Sequence, residues 1–480
     1  MKIVTATQMR LLEKAAISVG LNEEKLQWVA AKGVADYLAA HFPHAESFWF
    51  FCGKGHNGSD GFLASRYLAA QDKVVRCFSP YELNQADVES IKNCPKTPPR
   101  KGVMIDALLG IGARGKLAPE IKEITQHYLQ SAKNIVVAID VPTGVGADSG
   151  EVETGAVKAN VTLSCGLPKQ GLVREEAQNY VGRIEVISLP IPEEAYQRIE
   201  AELEFFEREA AYQLVPRRDW NAHKGSCGHV HLVAGQVGMS GAAILAAEGA
   251  LASGAGLVTV HVPKSIYEIV ASSVAEALVK PFEKLEETLL EFSEKAVVVV
   301  GPGLGISQAG EDFLLRLLTD RSRRAVLDAD TLTILAHRKT LSDLLHEKIL
   351  LTPHPGEMKR LMGGRDFSRR DALSDFLKRH SCAVLLKGPG TLVGQKGKHT
   401  SYNATGNPGM ATGGMGDVLA GLCGGLAAQG LELCEAGRLG AWWHGAAADE
   451  ALTEQSYETL LPRHLIQNLG KAMLKLKSGS

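Results

Sequence analysis

The sequence predicts an α/β protein of two domains, each a parallel sheet covered by helices on both faces. Three observations carry this. The chain has 480 residues, and a single hydrophobic core stops growing well short of that length, so the chain divides. Short apolar runs alternate with amphipathic stretches along most of it, the pattern of strands buried on both faces of a parallel sheet. Across residues 190–220 the alternation stops: Pro190, Pro192 and Pro216 frame a Glu-rich stretch with no strand pattern, which reads as a helical linker or domain edge. Residues 1–212 are therefore assigned to a first domain and 213–480 to a second.

Thr5 and Gln8 have the spacing of a capping box that starts a first helix. Leu26, Val29, Ala30, Val34 and Tyr37 fall on one face of a second. The first series of strands reads SFWFFC (47–52), KVVRCFS (73–79), VMIDALL (103–109), NIVVAID (134–140), VTLSCG and RIEVISL, with a helix expected after Asp60. In outline this is a Rossmann-like three-layer sandwich. A second series begins at HVHLVAG (229–235) and continues through LVTVHV, AVVVVGPG, RAVLDAD, KILLTPH and CAVLLKG to long helices after Asp417 and around residues 442–451. The halves show no shared repeat, so they read as two folds joined rather than a duplication.

Hydrophobic residues make up 45% of the chain and charged residues 22%, ordinary for a packed enzyme and unlike disordered or fibrous chains. Lys plus Arg number 52 against 54 for Asp plus Glu, so no overall field draws nucleic acid or an anionic membrane, and neither is an expected partner. The eight cysteines contain no CxxC pair and read as reduced thiols. Arg10, Glu13 and Lys14 fall where a signal peptide needs an unbroken apolar run, and no later segment has the length and apolarity of a membrane span. A cytoplasmic protein is expected.

The strand at 47–52 runs into Gly53-Lys54-Gly55-His56-Asn57-Gly58-Ser59-Asp60-Gly61 and then a helix. Glycines let backbone N–H groups approach a phosphate, and a helix N-terminus adds positive potential. A bare GxGxxG also fits a flexible strand-to-helix turn; Asn57 and Asp60 tip the reading toward a site. Two more loops follow strand ends: Asp106 with Gly110-Ile111-Gly112-Ala113-Arg114-Gly115-Lys116, and Asp140-Val141-Pro142-Thr143-Gly144-Val145. An open parallel sheet binds ligands at the carboxyl ends of its strands, where all three loops gather. These segments resemble the NAD(P)H-hydrate epimerase family, whose loop typically reads GxGNNGGDG and whose last motif reads DxPSG. The resemblance implies that Asn57, Asp106 and Thr143 bind a potassium ion, for which oxygen ligands are suited. It implies that His56, Asn57, Gly58, Ser59, Asp60, the loop from Gly110 to Lys116 and Asp140 hold the hydrated dinucleotide, with Asp140 transferring a proton. His56 stands where the family usually has Asn and Ser59 where it usually has Gly, each adding a side chain where close backbone approach is wanted.

The most specific segment is Asn403-Ala404-Thr405-Gly406-Asn407-Pro408-Gly409-Met410-Ala411-Thr412-Gly413-Gly414-Met415-Gly416-Asp417, leading into the apolar run VLAGLCGGLAA. Gly413, Gly414 and Gly416 can form an anion hole of backbone N–H groups at the helix start. The Asp417 carboxylate beside it can accept a proton from an attacking hydroxyl while the amides offset charge on a phosphoryl group in flight. Lys387-Gly388-Pro389-Gly390-Thr391 follows a strand and suits a nucleotide. His354, bracketed by Pro353 and Pro355, follows another strand end; a structural role and a ligand contact are the two readings for it. The GPGLG loop (301–305), Asp328 and Asp330 end two further strands, and Gly238 to Ala242 opens the first helix of this half. No GxxxxGK[ST] follows a strand, so this is not a P-loop site. Residues 225–475 resemble the ADP-dependent NAD(P)H-hydrate dehydratase family, which is ribokinase-like, through GPGLG, HPGE, KGxGT and GGMGD. The resemblance implies that Lys387, Gly388, Pro389, Gly390, Thr391 and Gly416 contact the adenylate. Ala242, Gly305, His354 and Asp417 would contact the hydrated nicotinamide nucleotide.

Together the resemblances imply repair of hydrated NAD(P)H. The first domain would interconvert the R and S forms, and the second would phosphorylate the S form from ADP, with Asp417 as base, so that phosphate leaves and NAD(P)H, AMP and phosphate result. Implied cofactors are K+, Mg2+ and ADP as co-substrate, magnesium being read from phosphoryl-transfer chemistry rather than from a visible cage. Expected partners are hydrated NADH or NADPH and ADP, and a homo-oligomer is expected. Two alternatives stand beside this reading. A ribokinase-like kinase of a sugar or vitamin precursor shares GxGD and would leave a stable phosphorylated product. An N-terminal half that only binds nucleotide or scaffolds would show no potassium-dependent loss of one epimer.

Overall fold

A computed structural model describes residues 1–81, 87–95, 97, 101–130, 134–293 and 295–478, and the chain divides into two compact units, Met1–Leu203 and Glu204–Ser480. The division precedes the proline-framed stretch's expected boundary after residue 212. That stretch is not strandless: it holds a short strand, Leu203–Phe205, whose Leu203 and Phe205 are buried. Phe206 N donates to Tyr402 O at 2.9 Å. Three residues, Leu203, Glu204 and Phe205, are too few to show an alternation pattern.

In the first unit, β1 (Ser47–Cys52), β2 (Val75–Ser79), β3 (Glu89–Ser90), β4 (Gly102–Ala107), β5 (Ile135–Ile139), β6 (Val161–Cys165) and β7 (Arg183–Ile187) form one seven-stranded sheet in the order β3-β2-β1-β4-β5-β6-β7. Every pairing in it is parallel. All six residues of β1 are buried. Phe48 and Phe50 enter one core with the helix Glu23–His41, while Trp49 and Phe51 enter another on the opposite face. Full burial of each such side chain contributes about 1.5–3 kcal/mol. The helix Glu23–His41 buries Leu26, Ala30, Ala31, Val34, Ala35 and Leu38. Val29 and Tyr37, expected on that face, are only half-buried, and Ala31 and Ala35 are buried in addition to the expected residues. The Thr5–Gln8 capping box is present on the helix Ala6–Ser18.

The second unit builds a ten-stranded sheet from β8 (Leu203–Phe205), β9 (His229–Val233), β10 (Leu257–Pro263), β11 (Leu278–Phe282), β12 (Val297–Val300), β13 (Arg324–Leu327), β14 (Ile349–Leu351), β15 (Ala383–Leu386), β16 (Thr391–Gly394) and β17 (Thr400–Asn403). The order is β11-β10-β9-β12-β13-β14-β15-β16-β17-β8. Strands β9 to β15 pair in parallel, and β15-β16-β17 in antiparallel. Strand β11 escapes a sequence reading because its residues are mostly exposed and include Pro281. The helices Ser240–Ala252 and Met415–Ala428 touch through small residues: a Cβ on Gly421 would lie 1.9 Å from Ala246 O. No helix among the described residues is long and apolar enough to cross a membrane, and all eight cysteines are free thiols.

Candidate active sites

In the first unit β1 ends at Cys52 and the chain turns tightly into the helix His56–Ala69. A Cβ on Gly58 would sit 1.9 Å from Gly53 O. The helix begins at His56 rather than after Asp60, so His56 to Asp60 are its first residues; Ser59 N already donates to Gly55 O at 3.0 Å, and the N–H groups of His56 to Gly58 are the ones the helix start leaves open at the strand edge. The His56 ring is exposed, with Nδ1 3.2 Å from Glu23 Oε1, and Ser59 Oγ donates to Gly55 O at 3.4 Å. Neither residue adopts the left-handed backbone that would need glycine.

Asp106, the second-to-last residue of β4, is fully buried. Its Oδ1 accepts from Thr143 Oγ1 at 2.7 Å and Leu108 N at 3.2 Å, and its Oδ2 from Thr143 N at 2.7 Å. Thr143 Oγ1 accepts from Leu109 N at 3.1 Å, and Asn57 Nδ2 donates to Leu109 O at 2.8 Å. Asn57, Asp106 and Thr143 thus form one linked cluster. Asn57 Oδ1 is buried and meets no hydrogen-bond donor, an acceptor of the kind that structures seldom leave unsatisfied. Burial pushes the Asp106 carboxyl up to about 6 against the Thr143 and Leu108 hydrogen bonds.

Asp140 follows β5 at φ 67°, a left-handed conformation that costs a non-glycine residue about 1–2 kcal/mol. Its Oδ1 is gripped by Lys169 Nζ and approached by Cys165 N at 3.4 Å. Its Oδ2 lies 3.7 Å from where a Cβ on Gly110 would stand, so it faces the 110–116 loop, of which Gly112 to Lys116 are exposed. Asp60 is half-buried with Oδ1 shielded from solvent and unpartnered. Burial first, then Asp140 and Glu13, push its carboxyl up to about 8 against the pull of Lys169.

In the second unit Asp417 lies in the first turn of the helix Met415–Ala428, which Gly414 caps at φ 91° with no side-chain hydrogen bond to the helix start. First-turn N–H groups are therefore left for an anion. Burial, then Asp328, push the Asp417 carboxyl up to about 7, opposed by Lys387. Lys387 Nζ is 2.8 Å from Asp328 Oδ1 and 4.0 Å from Glu357 Oε2. A Cβ on Gly416 would stand 3.2 Å from that nitrogen, so the ammonium sits under the helix start. Gly305 N donates to Asp330 Oδ2 at 2.8 Å, and Ala242 Cβ is 3.0 Å from where a Cβ on Gly303 would be. A cavity of about 500 Å³ adjoins Gly305, lined by Gln236, Leu304, Ile306, Phe282 and Lys284 among others, within the usual range of small-ligand sites.

His354 is a helix cap. Its Nδ1 accepts from Gly356 N at 3.0 Å and Glu357 N at 3.3 Å, and Glu357 Oε2 accepts from His354 N at 2.7 Å. An accepting Nδ1 assigns the proton to Nε2, and burial, then Lys387 and Arg360, lower the ring's affinity for a second proton. The side chain is half-exposed, with Nε2 3.5 Å from Glu357 Oε1. The loop Lys387 to Thr391 joins β15 to β16; Thr391 Oγ1 donates to Gly388 O at 3.0 Å, and Arg369 donates to Pro389 O and Gly390 O. The 403–417 loop is tied to the helix Leu433–Ala451: Asp449 accepts from Gly406 N and Asn407 Nδ2, both at 3.0 Å.

Sequence reasoning missed Glu13, Lys169, Arg369 and Asp449. The last three support loops through contacts between residues distant in sequence, which no local spacing shows. For Lys169 a faint signal exists, a lysine inside the apolar run GLPKQGLV.

The NAD(P)H-hydrate dehydratase family matches residues 230–471, and the YjeF-related protein N-terminus matches residues 23–171. The bifunctional NAD(P)H-hydrate repair enzyme Nnr of Coxiella burnetii is 37% identical over 96% of this chain and 97% of its own. Its counterpart in Moorella thermoacetica is 32% identical over 99% and 97%. Among solved structures, a ribokinase-like superfamily protein of Enterococcus faecalis superposes with a TM-score of 0.51 at 26% identity, covering 58% of this chain and 98% of that one. With both domains present and matched end to end, the chain belongs to the family of bifunctional NAD(P)H-hydrate repair enzymes.

Proposed function

We infer that the chain repairs hydrated NAD(P)H in two steps, epimerisation of the R and S forms in the first unit, Met1–Leu203, and ADP-dependent dehydration of the S form in the second, Glu204–Ser480. The observation that carries this is full-length similarity to bifunctional repair enzymes together with two separate acid-bearing sites, one per unit.

In the dehydratase site the hydroxyl oxygen of the hydrated ring attacks the terminal phosphorus of ADP. Asp417 takes the hydroxyl proton and the bond to AMP breaks. A carboxyl raised to about 7 is matched to that task at neutral pH. The open N–H groups of the helix start and Lys387 face the negative charge that develops. Phosphate then departs with the C–O electron pair, the ring nitrogen supplies electrons, and loss of a proton from the neighbouring carbon restores the double bond. Among the described residues no cluster of three or more His, Cys, Asp or Glu is arranged to hold a metal, so magnesium would be carried chiefly by the nucleotide phosphates. Lys387 to Thr391 and Gly416 would hold the adenylate, and Ala242, Gly305 and His354 the hydrated nucleotide beside Asp417.

In the epimerase site, Asn57, Asp106 and Thr143 would hold potassium. The unsatisfied Asn57 Oδ1 next to a buried carboxylate supports that fit, and the ion would supply positive charge toward the substrate phosphates. The 56–60 and 110–116 segments would seat the dinucleotide, and Asp140 would move the proton as hydroxyl leaves as water and water returns to the opposite face.

The test is incubation with hydrated NADH, ADP and magnesium. NADH absorbance should return with AMP and phosphate in equal amounts. Repair without nucleotide consumption, or a stable phosphorylated product, refutes the reading.

A further inference from the structure

Lys169 is 1% exposed at its side chain, and nothing in the reading above uses it. It lies after β6, where the backbone is pinned on both sides: Val4 N donates to Pro168 O and Gln170 N to Val4 O, both at 2.9 Å. From there Nζ donates to Asp140 Oδ1, to Cys165 O at 2.6 Å and to Ser164 Oγ at 3.2 Å. An ammonium has three protons, and all are engaged by the protein. Lys169 therefore has none left for a substrate and cannot act on one directly.

Its influence falls on the carboxylates. Glu13, Asp60 and Asp140 interact electrostatically with one another and with Lys169, and Cys165 and, through Glu13, His56 and Arg10 complete the titratable and charged surroundings. A buried cation with no ionic partner is expensive, and Asp140 Oδ1 is the carboxylate oxygen in ion-pair contact with Lys169 Nζ. Because Oδ1 is occupied, Oδ2 is the oxygen left toward Gly110 and the dinucleotide loop. The ion pair also ties down a residue held at positive φ.

We propose that Lys169 is a positioning residue of the epimerase site, clamping Asp140 through Oδ1 so that Oδ2 is the oxygen that exchanges a proton with the substrate. This rests on the epimerase reading of the first domain. The clamped carboxylate takes a proton from water as it adds to the ring carbon, and in the reverse direction returns that proton to the departing hydroxyl, which leaves as water.

The experiment uses the full chain without ADP, so that the dehydratase is idle, and follows conversion of the R to the S epimer of hydrated NADH by chromatography. Lys169→Met should lower kcat by about 30-fold or more while KM stays within about threefold. Adding Lys169→Met to Asp140→Asn should cost nothing further, since a residue acting only through Asp140 has no effect once that carboxylate is gone. Retained kcat in Lys169→Met, a rise in KM alone, or multiplying losses in the double variant each overturn the proposal. If Lys169→Met does not fold, the pair Asp140→Asn and Asp140→Asn/Lys169→Met decides alone, because the double variant leaves neither charge unpaired; equal turnover supports the clamp and further loss refutes it. Wild-type chain that leaves the R epimer untouched overturns the epimerase reading itself, a result distinct from the loss of turnover in the variants.

Discussion

Asp417→Asn tests the dehydratase chemistry and its energetic basis in one variant. The amide keeps the shape of the side chain and removes the base, so kcat should fall by about two to four powers of ten with ADP binding retained. Stability should move the other way. The Asp417 carboxyl is raised from 3.8 to about 7, chiefly by burial, so the folded state prefers the protonated form. That contribution to stability is fully present below pH 3.8, is eroded as the pH climbs and is lost once it passes about 7. At about 1.4 kcal/mol per tenfold change in proton affinity, the ceiling is about 4 kcal/mol, and solvent entering the cleft reduces the expected gain to about 2 kcal/mol.

The neutral amide escapes this penalty, so the variant should melt about 4–8 °C above wild type at pH 8, with the difference shrinking toward pH 4. Thermal melts of both proteins at pH 4.5, 6 and 8, alongside steady-state turnover, measure it. Turnover within about threefold of wild type in a folded variant would make Asp417 a helix cap and refute the mechanism. Loss of activity with no pH-dependent gain in stability would refute the electrostatic account of the site.

Other predictions follow from neighbouring contacts. Lys387→Met leaves Asp328, 1% exposed at its side chain, without its cation and should cost about 3–5 kcal/mol; Lys387→Met/Asp328→Asn should recover most of the melting temperature while remaining defective in nucleotide binding. Potassium in place of sodium should raise the melting temperature of the first transition and the epimerase rate together, and Asp106→Asn should abolish both responses. A fragment beginning at Glu204 should be soluble and dehydrate the S epimer, whereas one beginning at Ala210 loses the buried Phe206 and its hydrogen bond to Tyr402. The deletion should cost about 3–5 kcal/mol in urea melts.

How much was legible in the sequence follows from where each signal lives. The strand SFWFFC was readable because it is buried on both faces, which leaves an unbroken apolar run. The loops bearing Asp106, Asp140, Asp328 and Asp417 were readable because acids and glycines cluster at the points where strands end or a helix begins, and a parallel sheet brings such points to one edge. What was not readable is the set of residues that act through distance. Arg369 reaches Gly390 across 21 positions, and Asp449 reaches Gly406 across 43, with only the fold to bring them together.

The state of each site group was also hidden. Asp60 and Asp417 look alike in sequence, each a short acid beside glycines. Yet burial pushes one to about 8, with Asp140 and Glu13 adding to it, and the other to about 7, with Asp328 adding and Lys387 opposing. Environment, not residue type, sets which carboxyl holds a proton at neutral pH. His354 makes the same point from the other side. The motif offers it as a ligand contact, but its Nδ1 is committed to capping the helix Pro355–Leu361 and its Nε2 lies 3.5 Å from Glu357 Oε1. A side chain can serve the fold with one atom and the site with another, and only the hydrogen-bond inventory separates the two.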